Sequence, residues 1–319
     1  MADQILVTGA AGFIGSQLVD RLLAQGARVA GIDNFRRGSE ANLADALRSP
    51  AFRLLRADLA DLPACRAVLD ALPEPINFVW HMAANSDIPA GVSDPGVDFR
   101  DTFLTTYNTL ILMRERGVRQ LAFASTSAVY GDGHAVLAED TAPLLPISNY
   151  GAMKLASEAA ISAAVESHLE QAWIFRFPNV VGGRATHGIL YDLLGKISRG
   201  GPDLEVLGDG TQSKQYLHAQ DLIDAMLFIC QRAGERRNLY NIGPEDEGIS
   251  VREIAEAVIA EARPGLAIRY TGGAKGWLGD VPRFRYSVAK LKALGWSAPH
   301  NSHQAIRRAV AEIHREMGG

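Results

Sequence analysis

The feature that most constrains this chain is a turn of spaced glycines, Gly9-Ala10-Ala11-Gly12-Phe13-Ile14-Gly15, set between an apolar run at Ile5-Leu6-Val7 and an amphipathic stretch beginning at Ile14. The run reads as a buried strand. Ile14, Leu18, Val19, Leu22 and Leu23 make one face of a helix that Gly26 is placed to stop. Glycines let the chain turn tightly and let an anion approach the main chain, and a helix N-terminus offers free N–H groups and partial positive charge. The pattern predicts a pyrophosphate-binding turn made by Gly9, Gly12, Phe13, Ile14 and Gly15. The next apolar run, Arg28–Asp33, ends in a carboxylate 18 positions after Gly15, followed by Asn34. A carboxylate there accepts hydrogen bonds from the adenosine ribose and repels a 2′-phosphate, which favours NAD over NADP. Arg36 and Arg37, close by, argue the other way.

Strand-like and helix-like stretches alternate through the first half. Phe52–Leu59, Ile76–Ala83, Gln120–Ser125 and Ala172–Phe177 read as strands, and Asp101–Arg116 and Tyr150–Leu169 as helices, with a short helix started by Asp61 and Pro63. This predicts an α/β fold, a doubly wound parallel sheet covered by helices on both faces. Asp58 and Leu59, after the third strand, are candidate adenine contacts, although a plain turn explains them nearly as well. The second half is less regular, with Gly, Pro and polar clusters at 182–188 and 199–213. Asp221 is expected to cap a helix through Cys230, Asn238–Ile242 to form a strand, Ser250 and Glu253 to make a capping box, and Ser287 to precede a last short helix ending at Gly295-Trp296. The expected division is a dinucleotide-binding domain over 1–178, joined by part of 214–243, and a smaller mixed α/β substrate domain over 179–319.

Composition narrows the function classes. Of 319 residues 47% are hydrophobic and 21% charged, enough apolar material for a large core. The formal charge of −4 lacks the basic excess of a nucleic-acid binder. No apolar run reaches membrane-spanning length, and the N-terminus has neither the basic start nor the apolar segment of a signal peptide. Cys65 and Cys230 lie far apart in helical stretches, so they read as core residues and not as a disulfide or zinc site, and no metal is expected. The expected setting is reduced and cytoplasmic.

Tyr150-Gly-Ala-Met-Lys154 places a phenol and an ammonium on one helix face. A tyrosine of ordinary pKa is a poor base at neutral pH, and a nearby positive charge favours phenolate. Ser125-Thr126-Ser127 lies at the end of the fifth strand, where a doubly wound sheet borders its ligand crevice.

Together these pieces resemble the NAD-dependent sugar-nucleotide epimerase/dehydratase family of extended short-chain dehydrogenase/reductases. The resemblance runs over nearly the whole chain: the glycine turn, His81–Ala84, Ser125–Gly131, Tyr150 and Lys154, Arg176–Asn179, Gly208–Gly210, Tyr216–His218 with Asp221, Asn241–Gly243, Gly279-Asp280 and Leu294–Trp296 fall in family order. It implies Thr126 as the catalytic hydroxyl, Tyr150 as base and Lys154 as ribose clamp and pKa modulator. It implies Ala83 and Phe177 beside NAD, and Ser86, Thr126, Asn179, Lys214, Tyr216 and Asp280 toward a nucleotide-sugar substrate. Ser127 and Ala128 stand where the family's dehydratases carry an Asp-Glu pair, so acid and base for loss of water are missing there. The reaction implied is epimerisation at C4 through a transient ketone. Net oxidoreduction or dehydration of a sugar nucleotide is the alternative, and a non-catalytic NAD-sensing protein a third. The family also implies a homodimer through helices 101–116 and 150–169, whose apolar faces core packing explains equally well.

Overall fold

The computed structural model describes residues 4–273 and 285–318. Short runs of apolar and β-branched residues bounded by turn residues become strands: β1 (Gln4–Thr8), β2 (Arg28–Asp33), β3 (Phe52–Arg56), β4 (Ile76–His81), β5 (Gln120–Ala124), β6 (Gln171–Arg176) and β7 (Arg237–Asn241). They form one sheet in the order β7-β6-β5-β4-β1-β2-β3, and every pairing from β3 through β6 is parallel. Parallel neighbours need crossovers, supplied here by α1 (Phe13–Ala24), α2 (Leu62–Asp70), α3 (Thr105–Glu115) and α4 (Asn149–Ser167). Leu6, Ile32, Val79, Leu121 and Ile174 of the sheet pack in one cluster with Cys65, Leu69, Met113, Ile161 and Val165 of the helices. Phe78 packs between Trp80 and Trp173, with ring centroids 5.4 and 5.5 Å away.

Register aligns the C-terminal ends of the strands. Thr8 stands beside Ile32 on one side and His81 on the other; His81 in turn pairs with Phe123, and Ala124 with Phe175. The segments that leave these ends, from Gly9, Asp33, Met82, Ser125 and Arg176, therefore emerge along one edge.

A buried polar relay locks that edge. The Thr106 hydroxyl donates to Thr102 O (2.9 Å), so its oxygen accepts from His81 Nε2–H (3.0 Å). His81 Nδ1 is then the acceptor for the Thr8 hydroxyl (2.7 Å), whose oxygen takes the N–H groups of Met82 (3.1 Å) and Ala83 (3.2 Å). His81 is fully buried, and loss of water, with the charge of Lys154 second, pushes its pKa down to about 3. It is a neutral structural imidazole.

The helix expected over 101–116 begins as a π-helical stretch, Phe99–Leu104, and becomes regular only at Thr105. The Thr105, Thr106 and Thr109 hydroxyls turn back onto carbonyls three or four residues earlier, the competition that makes threonine a poor helix former.

The chain divides into two compact units, one of Met1–Asp132, Ala142–Arg176 and Met226–Tyr240, the other of Gly133–Thr141, Phe177–Ala225 and Asn241–Gly319. In the second, helices Ile189–Ser198, Val251–Ala262 and Ser302–Glu316 bury Leu193, Leu194, Ile254, Val258, Ile306 and Val310. The Ser250–Glu253 capping box forms as expected. Asp221 is not a cap: it is the third residue of helix Ala219–Arg232, and its carboxylate binds His300 Nδ1 (2.9 Å). The short helix Ala289–Leu294 ends at Gly295 but is not the last. Asn301 and Gln304 make a second capping box that starts Ser302–Glu316. Cys65 is buried and Cys230 half-buried, and burial raises both thiols, Cys65 to about 11. No helix among the described residues is long and apolar enough to cross a membrane.

Because His81 stays neutral in the fold and titrates near 6.5 when unfolded, its contribution is intact above pH 6.5 and is lost as pH falls toward about 3. His81→Gln removes that proton linkage. Denaturant titrations between pH 6.5 and 5 should show the wild type losing about 1 kcal/mol more per pH unit than the variant. Equal slopes would mean His81 is protonated in the folded chain.

Candidate active site

The glycine turn is shaped by close approach. Gly9 opens it with φ 65° and donates to Ile32 O (2.9 Å). A Cβ on Gly15 would lie 2.0 Å from Gly9 O, so only glycine lets α1 pack this tightly under the turn. Gly12 is the N-cap of α1, with no side-chain cap and no acidic residue in the first turn. The amides of Phe13 and Ile14, the first two helical residues, face an electropositive helix end suited to a pyrophosphate.

Asp33 holds this turn as well as facing it. Its Oδ2 accepts from Ala11 N (2.9 Å) and its Oδ1 from Phe35 N (2.7 Å). Burial raises its pKa against these hydrogen bonds. The two arginines that could attract a 2′-phosphate are turned to other carboxylates: Arg36 to Asp101 (2.7 Å) and Arg37 to Asp87 (3.0 Å). Asn34 is exposed, with Oδ1 accepting from Arg36 N (3.0 Å). Asp58 accepts from Ala60 N (2.9 Å) and pairs with Arg100; desolvation would raise its pKa, but these contacts hold it below the usual carboxylate range. Leu59 is buried, and its carbonyl accepts from Asn108 Nδ2 (2.8 Å). These residues suit a dinucleotide: a pyrophosphate turn, then a carboxylate at the end of β2.

Thr126 lies two residues beyond the end of β5. Its hydroxyl caps the turn Ser127–Tyr130 by accepting from Ala128 N (3.1 Å) and lies near enough to the Tyr150 phenol to favour its ionised form. Gly151 permits this meeting, since a Cβ there would sit 2.6 Å from Ala128 O. Lys154 is only 2% exposed, donates to Ala124 O (2.6 Å), and lies 5.9 Å from the Tyr150 ring centre. Burial lowers its pKa to about 7, with Glu158 acting against the fall. Tyr150 differs from the expectation of a depressed pKa. Desolvation pushes it up to about 12, the Thr126 hydroxyl opposes that rise, and Asp98 adds to it.

The structure therefore brings the glycine turn, Asp33, Ala83, Thr126, Tyr150 and Lys154 into one unit, along one sheet edge. Ser86 is exposed in the segment after β4, next to Asn85, which is bonded to the buried Asp98 (2.8 Å). Phe177, Asn179, Lys214 and Tyr216 belong to the second unit. There Asn179 is exposed and pairs with Tyr216 in two short parallel strands. Tyr216 is buried in the apolar cluster of that unit, and Lys214 is half-buried on a strand beside Ile249. Asp280 lies outside the described residues. Sequence motifs assign no role to Glu158, although it sits four residues after Lys154 and eight after Tyr150. Its carboxylate binds Arg176 twice (3.0 and 2.6 Å) and also takes the Ser125 hydroxyl. Among the described residues, no group of three or more His, Cys, Asp or Glu side chains is placed to hold a metal.

Comparison with known proteins agrees with this geometry. Residues 5–243 match the model of the NAD dependent epimerase/dehydratase family. UDP-glucose 4-epimerase of Mycolicibacterium smegmatis is 32% identical over 320 residues, covering 96% of each chain. A crystal structure of a UDP-galactose 4-epimerase superposes with a TM-score of 0.85 at 31% identity, over 98% of this chain and 99% of that one. The Thermus thermophilus UDP-glucose 4-epimerase, solved in complex with NAD, gives 0.83 at 30% identity over 97% and 98%. The chain belongs to the NAD-dependent epimerase/dehydratase family.

Proposed function

We propose that this chain inverts the C4 centre of a nucleotide sugar through a transient 4-ketone, with Tyr150 as base. The observation that carries the reading is the Tyr150 phenol near Thr126 and beside the buried Lys154, with no carboxylate at positions 127 and 128. Bound NAD supplies reversible oxidation at C4. The residues proposed to hold it are the turn Gly9–Gly15, Asp33, Asn34, Asp58, Leu59, Ala83, Tyr150 and Lys154, to which the family resemblance adds Phe177.

The chain's own part is proton handling and orientation. Tyr150 Oη takes the proton of the C4 hydroxyl as the ketone forms and returns it when the ketone is reduced. Thr126 orients that hydroxyl. The Lys154 ammonium favours the phenolate, which burial and the Asp98 charge oppose. Dehydration would need a second acid–base pair, which Ser127 and Ala128 do not provide. Ser86, Asn179, Lys214, Tyr216 and Asp280 remain the proposed substrate contacts, with Lys214 as a phosphate partner lacking the arginine fork. Relatives named as UDP-glucose 4-epimerases favour a UDP-hexose as substrate. A homodimer through the helical run 99–115 is favoured by a row of aromatics there. Phe99, Phe103 and Tyr107 lie about a turn apart, with Phe99 53% and Tyr107 50% exposed.

The test is turnover of UDP-galactose followed by NMR of the product. UDP-glucose should form with no stoichiometric absorbance change at ~340 nm, the mark of cofactor recycling within each turnover. Steady accumulation of reduced cofactor would favour net oxidoreduction instead.

Tyr150→Phe keeps the ring and removes one oxygen. It should lower kcat ~10²–10⁴-fold while leaving NAD binding intact. Retention of more than about a tenth of the wild-type kcat, far above the range for loss of a general base, would remove Tyr150 from the mechanism. Lys154→Met should slow the reaction and move its pH optimum upward, because a positive charge beside the phenol is lost.

Asp33→Ala should weaken NAD, both by losing the ribose acceptor and by releasing Ala11 of the turn, and should relax discrimination against NADP. Calorimetric titration of both cofactors reads this. A wild type that already prefers NADP would shift the assignment to Arg36 or Arg37.

A further inference from the structure

Tyr150, Lys154 and Glu158 follow one another at four-residue spacing along α4. The buried face of that helix is polar near the site, at Lys154 and Glu158, and apolar beyond it, at Ile161 and Val165. A buried ammonium needs a compensating partner. The groups facing Lys154 can be taken in turn. Ala124 O accepts one N–H, and the Phe123 ring lies 4.6 Å away. The Tyr150 phenol is neutral at rest, and His81 is held neutral. Glu158 is the carboxylate that acts on Lys154. Glu158 is itself fixed: Arg176 grips both its oxygens, and the Ser125 hydroxyl adds a third bond. Arg176 rests 4.8 Å above the Tyr130 ring. One carboxylate thus joins α4, the end of β5 immediately before Thr126, and the end of β6.

We propose that Glu158 is a positioning residue of the site, the buried counter-charge of Lys154 and the anchor of the Ser125–Thr126 segment. The proposal rests on the roles given above to Tyr150, Lys154 and Thr126, and deepens them. An ordinary structural ion pair can be exchanged for apolar residues of similar volume with little harm. A counter-charge cannot, because its field on the lysine disappears with it even when the fold survives.

The experiment follows Lys154 directly. The chain has six lysines, so ¹³Cε-lysine labelling gives a short spectrum in which Lys154 is assigned by its loss in Lys154→Met. Two variants are titrated beside wild type: Glu158→Gln, and the double variant Glu158→Leu/Arg176→Met, which leaves neither charge unpaired if the single variant does not fold. In Glu158→Gln Lys154 should titrate at least about one pH unit lower than in wild type, a tenfold fall in its proton affinity, and in the double variant, where the Arg176 charge goes as well, it should titrate lower by a smaller step. The pH–rate profile should then turn toward the slow Lys154→Met behaviour at correspondingly lower pH. A folded double variant whose Lys154 titrates as in wild type would overturn the proposal. If Lys154 titrates lower while the rate profile stays in place, Glu158 is confirmed as its counter-charge, and the role of Lys154 in the proposed reaction is what fails.

Discussion

Strand register at the C-terminal edge of the parallel sheet governs where chemistry can happen in this molecule. Thr8 stands between Ile32 and His81, and the hydroxyl of Thr8 ties the two residues after β4 to the end of β1. With those ends level, Gly9 can reach Ile32 O, Asp33 can take the amide of Ala11, and Ser125 can donate to Phe175 O (2.7 Å). A slip of one residue in β1 would turn Thr8 to the opposite face and break the relay through His81. The glycine turn and the Thr126 hydroxyl are separated by more than a hundred residues of chain, yet one ladder sets both.

The site is built around charge removed from water. Lys154, Glu158 and Arg176 are all buried, an arrangement that costs several kcal/mol per ion unless each is compensated. Compensation is complete around Glu158 and thinner around Lys154, which is why the lysine pKa falls to about 7. The phenol beside it moves the other way, to about 12. Both shifts have burial as their largest cause and both oppose the charged forms that base catalysis wants. A site poised in this way responds strongly to any charge introduced beside it, because little water is present to screen it.

Much of this is legible in the sequence, where local chemistry decides structure. The strand–turn–helix around Gly9–Gly15 and the capping box at Ser250 are short-range patterns, and both form as their residues dictate. The Tyr150–Lys154 pair also sits on the helix expected for it. Other features depend on tertiary contacts and escape a reading by spacing. Asp221 has the position of a cap, but His300, far along the chain, claims its carboxylate. The lysine four residues on predicts an activated phenol, but burial, with Asp98 adding to it, raises the Tyr150 pKa instead. Glu158 is visible at i+4 from Lys154, but its importance lies in Arg176 and Ser125, which spacing along a helix cannot reveal.

The central claim is that one chain oxidises and re-reduces the same C4 centre within a single turnover. A UDP-galactose carrying deuterium at C4 tests it most directly, with mass spectrometry and NMR of the UDP-glucose formed. The account predicts that the label stays at C4 of the inverted sugar. Loss of the label from C4, or its accumulation in free reduced cofactor, would contradict it.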